Sequence, residues 1–152
     1  SFIRAFEKIY REQDIRFTAD IQTSLRFRGE KQDLEEMIGN LMDNAGKWAQ
    51  TQVQVTVVRD EPVAAMPMIS LIVDDDGPGL PEEELEAVFD PFVRLETSRS
   101  RETGGAGLGL TIARALAEKD GARLLLRNHP QGGLEAVVEW PATLRVGTWR
   151  PG

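Results

Sequence analysis

The sequence predicts an α/β fold: a two-layer sandwich in which a mixed β-sheet is covered on one face by about three helices. Three observations carry this. Stretches with apolar residues every three to four positions are interspersed with stretches of strict alternation. Their order is helix, strands, helix, strands, loop, helix, strands, without the regular strand–helix alternation of a wholly parallel sheet. The length of 152 residues, 41% of them apolar, suits one domain with a real core.

Each element follows from its own pattern. Phe2, Ile3, Phe6, Ile9 and Tyr10 sit at helical spacing within residues 1–13. Ile15, Phe17, Ala19 and Ile21 alternate with polar neighbours and predict a strand. Leu25 to Arg28 reads as a second short strand stopped by Gly29. The clearest helix covers 31–48, with Leu34, Met37, Ile38, Leu41, Ala45 and Trp48 along one stripe. Gln52 to Val58 and Met68 to Val73 predict two strands joined by a loop that carries Pro62 and Pro67. Pro81 precedes a short helix over Glu82 to Val88. Residues 89–106 have no period and are long for a loop, which points to a functional segment. Leu108, Ile112, Ala115 and Leu116 mark a last helix that Gly121 ends. Leu124 to Arg127 and Ala136 to Trp140 pair as strands around the turn 129–133, and 143–152 forms a tail.

Composition excludes several chemistries. There is no cysteine, so disulfides, thiolate metal sites and a cysteine nucleophile are ruled out. The lone His129 rules out sites with two histidine ligands. A net charge of −7 disfavours sequence-independent nucleic-acid binding. No apolar run has membrane-spanning length and the N-terminus lacks a signal-peptide plan, so a soluble intracellular domain is expected, cut at Ser1 from a longer protein.

Four constellations can carry chemistry, each with a plainer alternative. Asn40, Asn44 and Lys47 share one helix face at the edge of the apolar stripe; they cap a neighbouring loop, or an amide oxygen ligates a hard cation while Lys47 meets an anion. Asp74-Asp75-Asp76-Gly77-Pro78-Gly79 follows a strand; it is an acidic surface turn, or it lets a carboxylate accept from an exocyclic amine on a flat ligand. Gly104 to Leu110 opens a helix and suits a phosphate, yet matches neither the Rossmann nor the Walker A pattern. Phe89 and Phe92 anchor the start of the long loop, whose Arg94, Arg99 and Arg101 are either solvated or suited to a triphosphate.

Taken together these segments resemble the ATP-binding catalytic domain of the sensor histidine kinases. Asn40-Leu41-Met42-Asp43-Asn44-Ala45 resembles their N box and Asp75-Asp76-Gly77-Pro78-Gly79 their G1 box. Phe89-Asp90-Pro91-Phe92 is similar to the F box, and Gly105-Ala106-Gly107-Leu108-Gly109-Leu110 to the G2 box. The likeness runs from about Phe2 to Pro141, is closest to PhoQ-like membrane sensor kinases around Gly39 to Lys47, and implies the GHKL or Bergerat fold with a long ATP lid. It implies ATP and Mg2+ as ligands. Asn44 would ligate the ion, with Asn40 close to ion and phosphates and Lys47 and the lid residue Arg94 reaching the phosphates. Asp75 would accept from adenine N6, with Gly77 and Gly79 shaping the base pocket. Gly105, Gly107 and Gly109, together with Leu108 and Leu110, would form the phosphate-binding end of the lid. Trp48 stands where many relatives carry Tyr and lacks its hydroxyl.

The resemblance also separates subfamilies. Hydrolytic members carry a glutamate general base four residues before the metal-binding asparagine, where this chain has Asn40, a neutral amide that takes no proton near pH 7. The expected activity is therefore transfer of the γ-phosphoryl group to a histidine on a separate dimerisation domain, and onward to a cognate response regulator. His129, in a Pro/Gly turn without an acidic sequence neighbour, is expected to be structural. The fragment is expected to be a monomer, a cytoplasmic part of a parent attached to the inner membrane. A hydrolytic ATPase and a degenerate non-enzymatic module are the alternatives.

Overall fold

The computed structural model describes residues 3–5, 8, 14–21, 31–60, 67–90 and 109–141. Five strands form one sheet: β1 (Arg16–Ile21), β2 (Gln52–Asp60), β3 (Met68–Asp75), β4 (Arg123–Asn128) and β5 (Leu134–Pro141), in the order β1-β2-β3-β5-β4. β1 runs parallel to β2 and the other neighbours are antiparallel, so the sheet is mixed as the sequence predicts. The helices are α1 (Lys31–Trp48) and α2 (Gly109–Lys119), and residues 3–5 and 8 are also helical. α1 is the crossover between β1 and β2, which their parallel pairing requires.

The core lies between the helices and one face of the sheet. Leu34, Met37, Ile38, Leu41, Met42 and Ala45 of α1 are buried, close to the predicted stripe. They meet Val53, Val55 and Val57 of β2, Ile69, Leu71 and Val73 of β3, and Ala136, Val138 and Trp140 of β5. Alternation then sends Asp74 and Asp75 to opposite faces, Asp75 to the helix side and Asp74 to the other.

Several expectations need correction. α2 buries Leu110, Ala113 and Ala117, whereas Ile112 is 40% exposed and Ala115 is exposed too. The buried face is offset around the helix from the predicted stripe, of whose described members only Leu116 packs against the core. The small Ala113 and Ala117 turn inward and let α2 approach α1 closely, and Lys119 ties the two helices through Asp33 at 2.7 Å. β3 extends through Asp75, so the glycine turn starts at Asp76 and not at Asp74. The segment 82–88 is not one helix but two 3-10 turns, Glu82–Glu84 and Ala87–Phe89. Ala19 of β1 is exposed, and of that strand only Phe17 is buried. By contrast α2 ends as expected: Gly121 takes φ 79°, its N–H reaches the Glu118 carbonyl at 3.1 Å, and the Ala122 N–H reaches that of Ala117 at 2.8 Å. The proposed strand at 25–28, most of the first helix, Arg94, Arg99, Arg101, Gly105, Gly107, Leu108, Phe92 and the tail 143–152 lie outside the described residues.

Candidate functional site

The site is built from three pieces: the C-terminal half of α1, the end of β3 with its glycine turn, and the first turn of α2. On α1 the expected spacing holds. Asn40 and Asn44 are half-buried at the margin of the core, and Lys47, one turn on, is exposed and pairs with Asp43 at 3.5 Å. The Asn40 amide is oriented by its own helix: Nδ2 donates to the Glu36 carbonyl at 3.0 Å. Its oxygen therefore points the other way, toward Gly109, where a Cβ would stand 3.3 Å from Oδ1. The N-terminal end of α2, with its unsatisfied N–H groups, is thus brought against the amide-bearing face of α1. Leu110, the next residue, is sealed in the core.

Asp75 sits at the end of β3, only 6% exposed. Its Oδ1 accepts the Gly77 N–H at 2.8 Å and the Leu134 N–H at 3.3 Å, so the carboxylate is held from its own turn and from β5. Gly77 is packed against the end of α1; a Cβ there would overlap the Trp48 carbonyl oxygen. Gly79 has φ 72°, and a Cβ would stand 2.6 Å from Asn128 Oδ1. Gly77 is therefore required by packing, and Gly79 by packing and by its left-handed backbone. Trp48 is half-buried, with its carbonyl against the glycine turn.

Asp76, between Asp75 and Gly77, holds the pieces in register. Its carboxylate accepts the N–H groups of Gln50 at 2.8 Å and Thr51 at 3.0 Å, that of Gln52 at 3.2 Å, and the Thr51 hydroxyl. Partial burial pushes its pKa up, but the hydrogen bonds from Thr51, Gln52 and Gln50 outweigh that and hold it at about 2. This carboxylate fastens the segment leaving α1 to the turn leaving β3, and so sets Asn44 relative to Asp75.

Sequence reasoning missed three contributors besides Asp76. Asn128, at the end of β4, clamps Leu80 on both sides: Oδ1 accepts its N–H at 2.9 Å and Nδ2 donates to its carbonyl at 2.7 Å. Gly133, φ 99°, lies directly against the Asp75 backbone. His129 lacks an acidic neighbour in sequence but has two in space, Asp74 and Glu135. The register pairs Asp74 with Glu135 across β3 and β5, and Glu135 with Arg127 across β5 and β4. Burial foremost, then the hydrogen bond and charge of Glu135, push the Asp74 carboxyl up to about 8. Glu135 is held down despite its burial by that hydrogen bond and by Arg127, so at neutral pH Asp74 carries the proton and donates to Glu135.

Residues 29–144 match the family described as the histidine kinase-, DNA gyrase B- and HSP90-like ATPases. The chain belongs to this family. As a histidine-kinase-like ATPase domain it is 45% identical over 117 residues to the sensor protein kinase CarS of Pseudomonas aeruginosa, covering 77% of this chain and 24% of that protein. It is 30% identical over 138 residues to the virulence sensor histidine kinase PhoQ of Salmonella typhimurium, covering 91% of this chain and 26% of that protein. Among solved structures the mycobacterial sensor histidine kinase MprB superimposes with a TM-score of 0.71 at 26% identity, over 92% of this chain and 91% of that one. The domain thus spans about a quarter of the length of its curated relatives. The mixed sheet with its covering helices is the architecture of histidine kinase catalytic domains, and the PhoQ-like character expected from residues 39–47 is upheld by the relatives. No helix among the described residues is long and apolar enough to cross a membrane.

Proposed function

We propose that residues 1–152 are a single nucleotide-binding domain of a two-component sensor histidine kinase, with 143–152 as its tail, that holds Mg-ATP and offers the γ-phosphate to a histidine on a dimerisation domain outside this chain. The observation that carries it is the approach of α2 to α1 at Gly109 and Asn40, with Asp75 buried at the strand end that α1 abuts.

The residues fit the ligand. Two amide oxygens, from Asn40 and Asn44, are the hard donors that Mg2+ takes alongside water and phosphate oxygens. The buried Asp75 carboxylate has its Oδ1 satisfied by backbone N–H groups, and Oδ2 is the oxygen we assign to the adenine amine. Gly77 and Gly79 leave the floor of the pocket without side chains, and Trp48 closes its α1 end. We assign Lys47 and Arg94 to supply positive charge toward the phosphates, and the backbone of Gly105, Gly107, Leu108, Gly109 and Leu110 to the phosphate-binding segment. The ion, when bound, neutralises phosphate charge.

Asn40 gives the domain its direction of activity. An amide already donating to Glu36 can position a phosphate or ion but cannot take a proton from water, so the nucleotide persists until a histidine reaches it. The remaining partners follow: the phosphoacceptor domain, then a response regulator. We place the domain, monomeric by itself, on the cytoplasmic side of the inner membrane.

The test combines this chain with a separately purified phosphoacceptor domain from its own parent and labelled ATP. Label should appear on that domain's histidine only when Mg2+ is present, with little free phosphate. Steady phosphate release without phosphohistidine would overturn the assignment in favour of a hydrolase, and absence of Mg-dependent nucleotide binding would overturn it altogether.

A further inference from the structure

We propose that Asp74, His129 and Glu135 form a binding site for a divalent transition-metal ion of the Zn2+ type, on the face of the sheet opposite α1 and α2. One imidazole nitrogen and one oxygen from each carboxylate lie within 4.8 Å of one another. Bonds of about 2.0–2.2 Å to a zinc ion hold neighbouring ligand atoms roughly 3.4 Å apart, so small side-chain rotations close the set. The backbone frame is already rigid. Asp74 and Glu135 are direct cross-strand partners, and His129 begins the tight turn that joins β4 to β5, its N–H bonded to the Gly133 carbonyl at 2.8 Å.

Two further observations point to a cation. Asp74 Oδ1 is buried and has no hydrogen-bond partner, an arrangement that folded proteins rarely leave unanswered. Beside it lies a pocket of about 230 Å3 bordered by Gln52, Gln54, Gln131 and His129, with room and polar groups for the waters that would complete a metal's shell. At neutral pH the pair is balanced: Asp74 holds a proton that it donates to Glu135, and Arg127 is bonded to Glu135 through Oε1. A bound metal ion would displace that proton and take its place between the two carboxylates. The site's cost is the Asp74–Glu135 hydrogen bond with its proton, and one exposed hydrogen bond from the Gln131 N–H to His129 Nδ1 at 3.1 Å, which yields when the imidazole turns to the ion.

The donor set names the class. An imidazole with two carboxylates suits zinc, cobalt or nickel better than magnesium and calcium, which prefer all-oxygen shells. The site is separate from the nucleotide's ion, whose amide donors are on α1 across the sheet.

The experiment uses this chain, chelator-treated and free of nucleotide. ZnCl2 is titrated by calorimetry, with CoCl2 as a spectroscopic probe. One equivalent should bind in the presence of excess Mg2+, and Co2+ should give a visible ligand-field band that includes a nitrogen donor. His129→Gln and Glu135→Gln should each weaken Zn2+ about tenfold or more and remove or shift the band, while the circular dichroism spectrum stays that of the parent. If His129→Gln does not fold, His129→Asn serves in its place. No uptake by the parent, or equal affinity in the variants (an adventitious surface ion only), would overturn the proposal.

Discussion

Gly133 lies against the backbone of Asp75 so closely that the carbonyl oxygen of Asp75 occupies the space a side chain on Gly133 would need. The next residue, Leu134, sends its N–H to Asp75 Oδ1 at 3.3 Å. A hairpin turn nearly 60 residues downstream therefore orients the carboxylate assigned to the adenine amine.

The first expected outcome concerns that contact. Gly133→Ala combines a left-handed backbone at φ 99° with direct overlap on Asp75, and should cost about 3 kcal/mol or more in urea unfolding. Gly132→Ala separates the two causes. Its φ of 102° is equally strained, but nothing lies within 4 Å of the new methyl, so about 1–2 kcal/mol is expected. Equal losses in both variants would show that strain alone matters and that the contact with Asp75 does not.

Asn128 is the second case. Its amide satisfies both backbone groups of Leu80 and contacts Glu82 at 3.3 Å, and so holds the end of the glycine turn. Asn128→Ala should destabilise the domain by about 2 kcal/mol, since two hydrogen bonds go and part-buried backbone groups lose partners. Nucleotide affinity should fall with it. Asn128→Asp keeps the acceptor but loses the donor to the Leu80 carbonyl, and an intermediate effect in thermal unfolding is expected.

These two residues also show where the sequence is legible. The stripe on α1 and the alternation of the strands identified the core because burial follows period, and Asn40 and Asn44 stood out because polar residues at the edge of a stripe need a purpose. Asn128 and Gly133 gave no such signal, since an Asn ending a strand and a Gly in a turn are ordinary and their partners are remote in sequence. By residue type Asp74 and Asp75 are alike in a run of three acids. The resemblance picks out Asp75, and the register of β3 supplies the physical reason, one to each face, while only the fold brings His129 to Asp74. α2 is less legible because alanines lie on more than one of its faces, and only contact with α1 decides that Ala113 and Ala117, not Ala115, are buried.

Asp76 makes stability depend on pH in a defined sense. Its folded pKa of about 2 lies below the ordinary 3.8, so the folded state favours the carboxylate. Its contribution is complete above about pH 4 and is lost as pH falls through 3.8 toward 2. Discounted for solvent exposure, it amounts to about 1 kcal/mol. Asp76→Asn should lower stability at pH 7 and flatten the acid limb of the stability profile between pH 4 and 2. An unchanged acid limb would mean that the Thr51 cradle does not distinguish carboxylate from amide.

The two assigned ends of the nucleotide can be separated by specificity. Asp75→Asn keeps an acceptor for the Gly77 and Leu134 N–H groups, so the fold should survive, but the amide can present a donor where adenine presents its own. Affinity for ATP should drop at least tenfold, roughly the 1.4 kcal/mol expected when one buried polar contact turns unfavourable. The Mg2+ dependence of the residual binding should be unchanged. Asn44→Ala should do the reverse: the adenine preference over guanine persists, because Asp75 is untouched, while Mg2+ no longer strengthens binding. Calorimetry with ATP and GTP, each with and without Mg2+, reads both effects in one set. If Asn44→Ala keeps its Mg2+ dependence, the ion is held by other residues. If Asp75→Asn leaves ATP affinity intact, the strand end is not the base pocket, and the close approach of Gly133 serves stability alone.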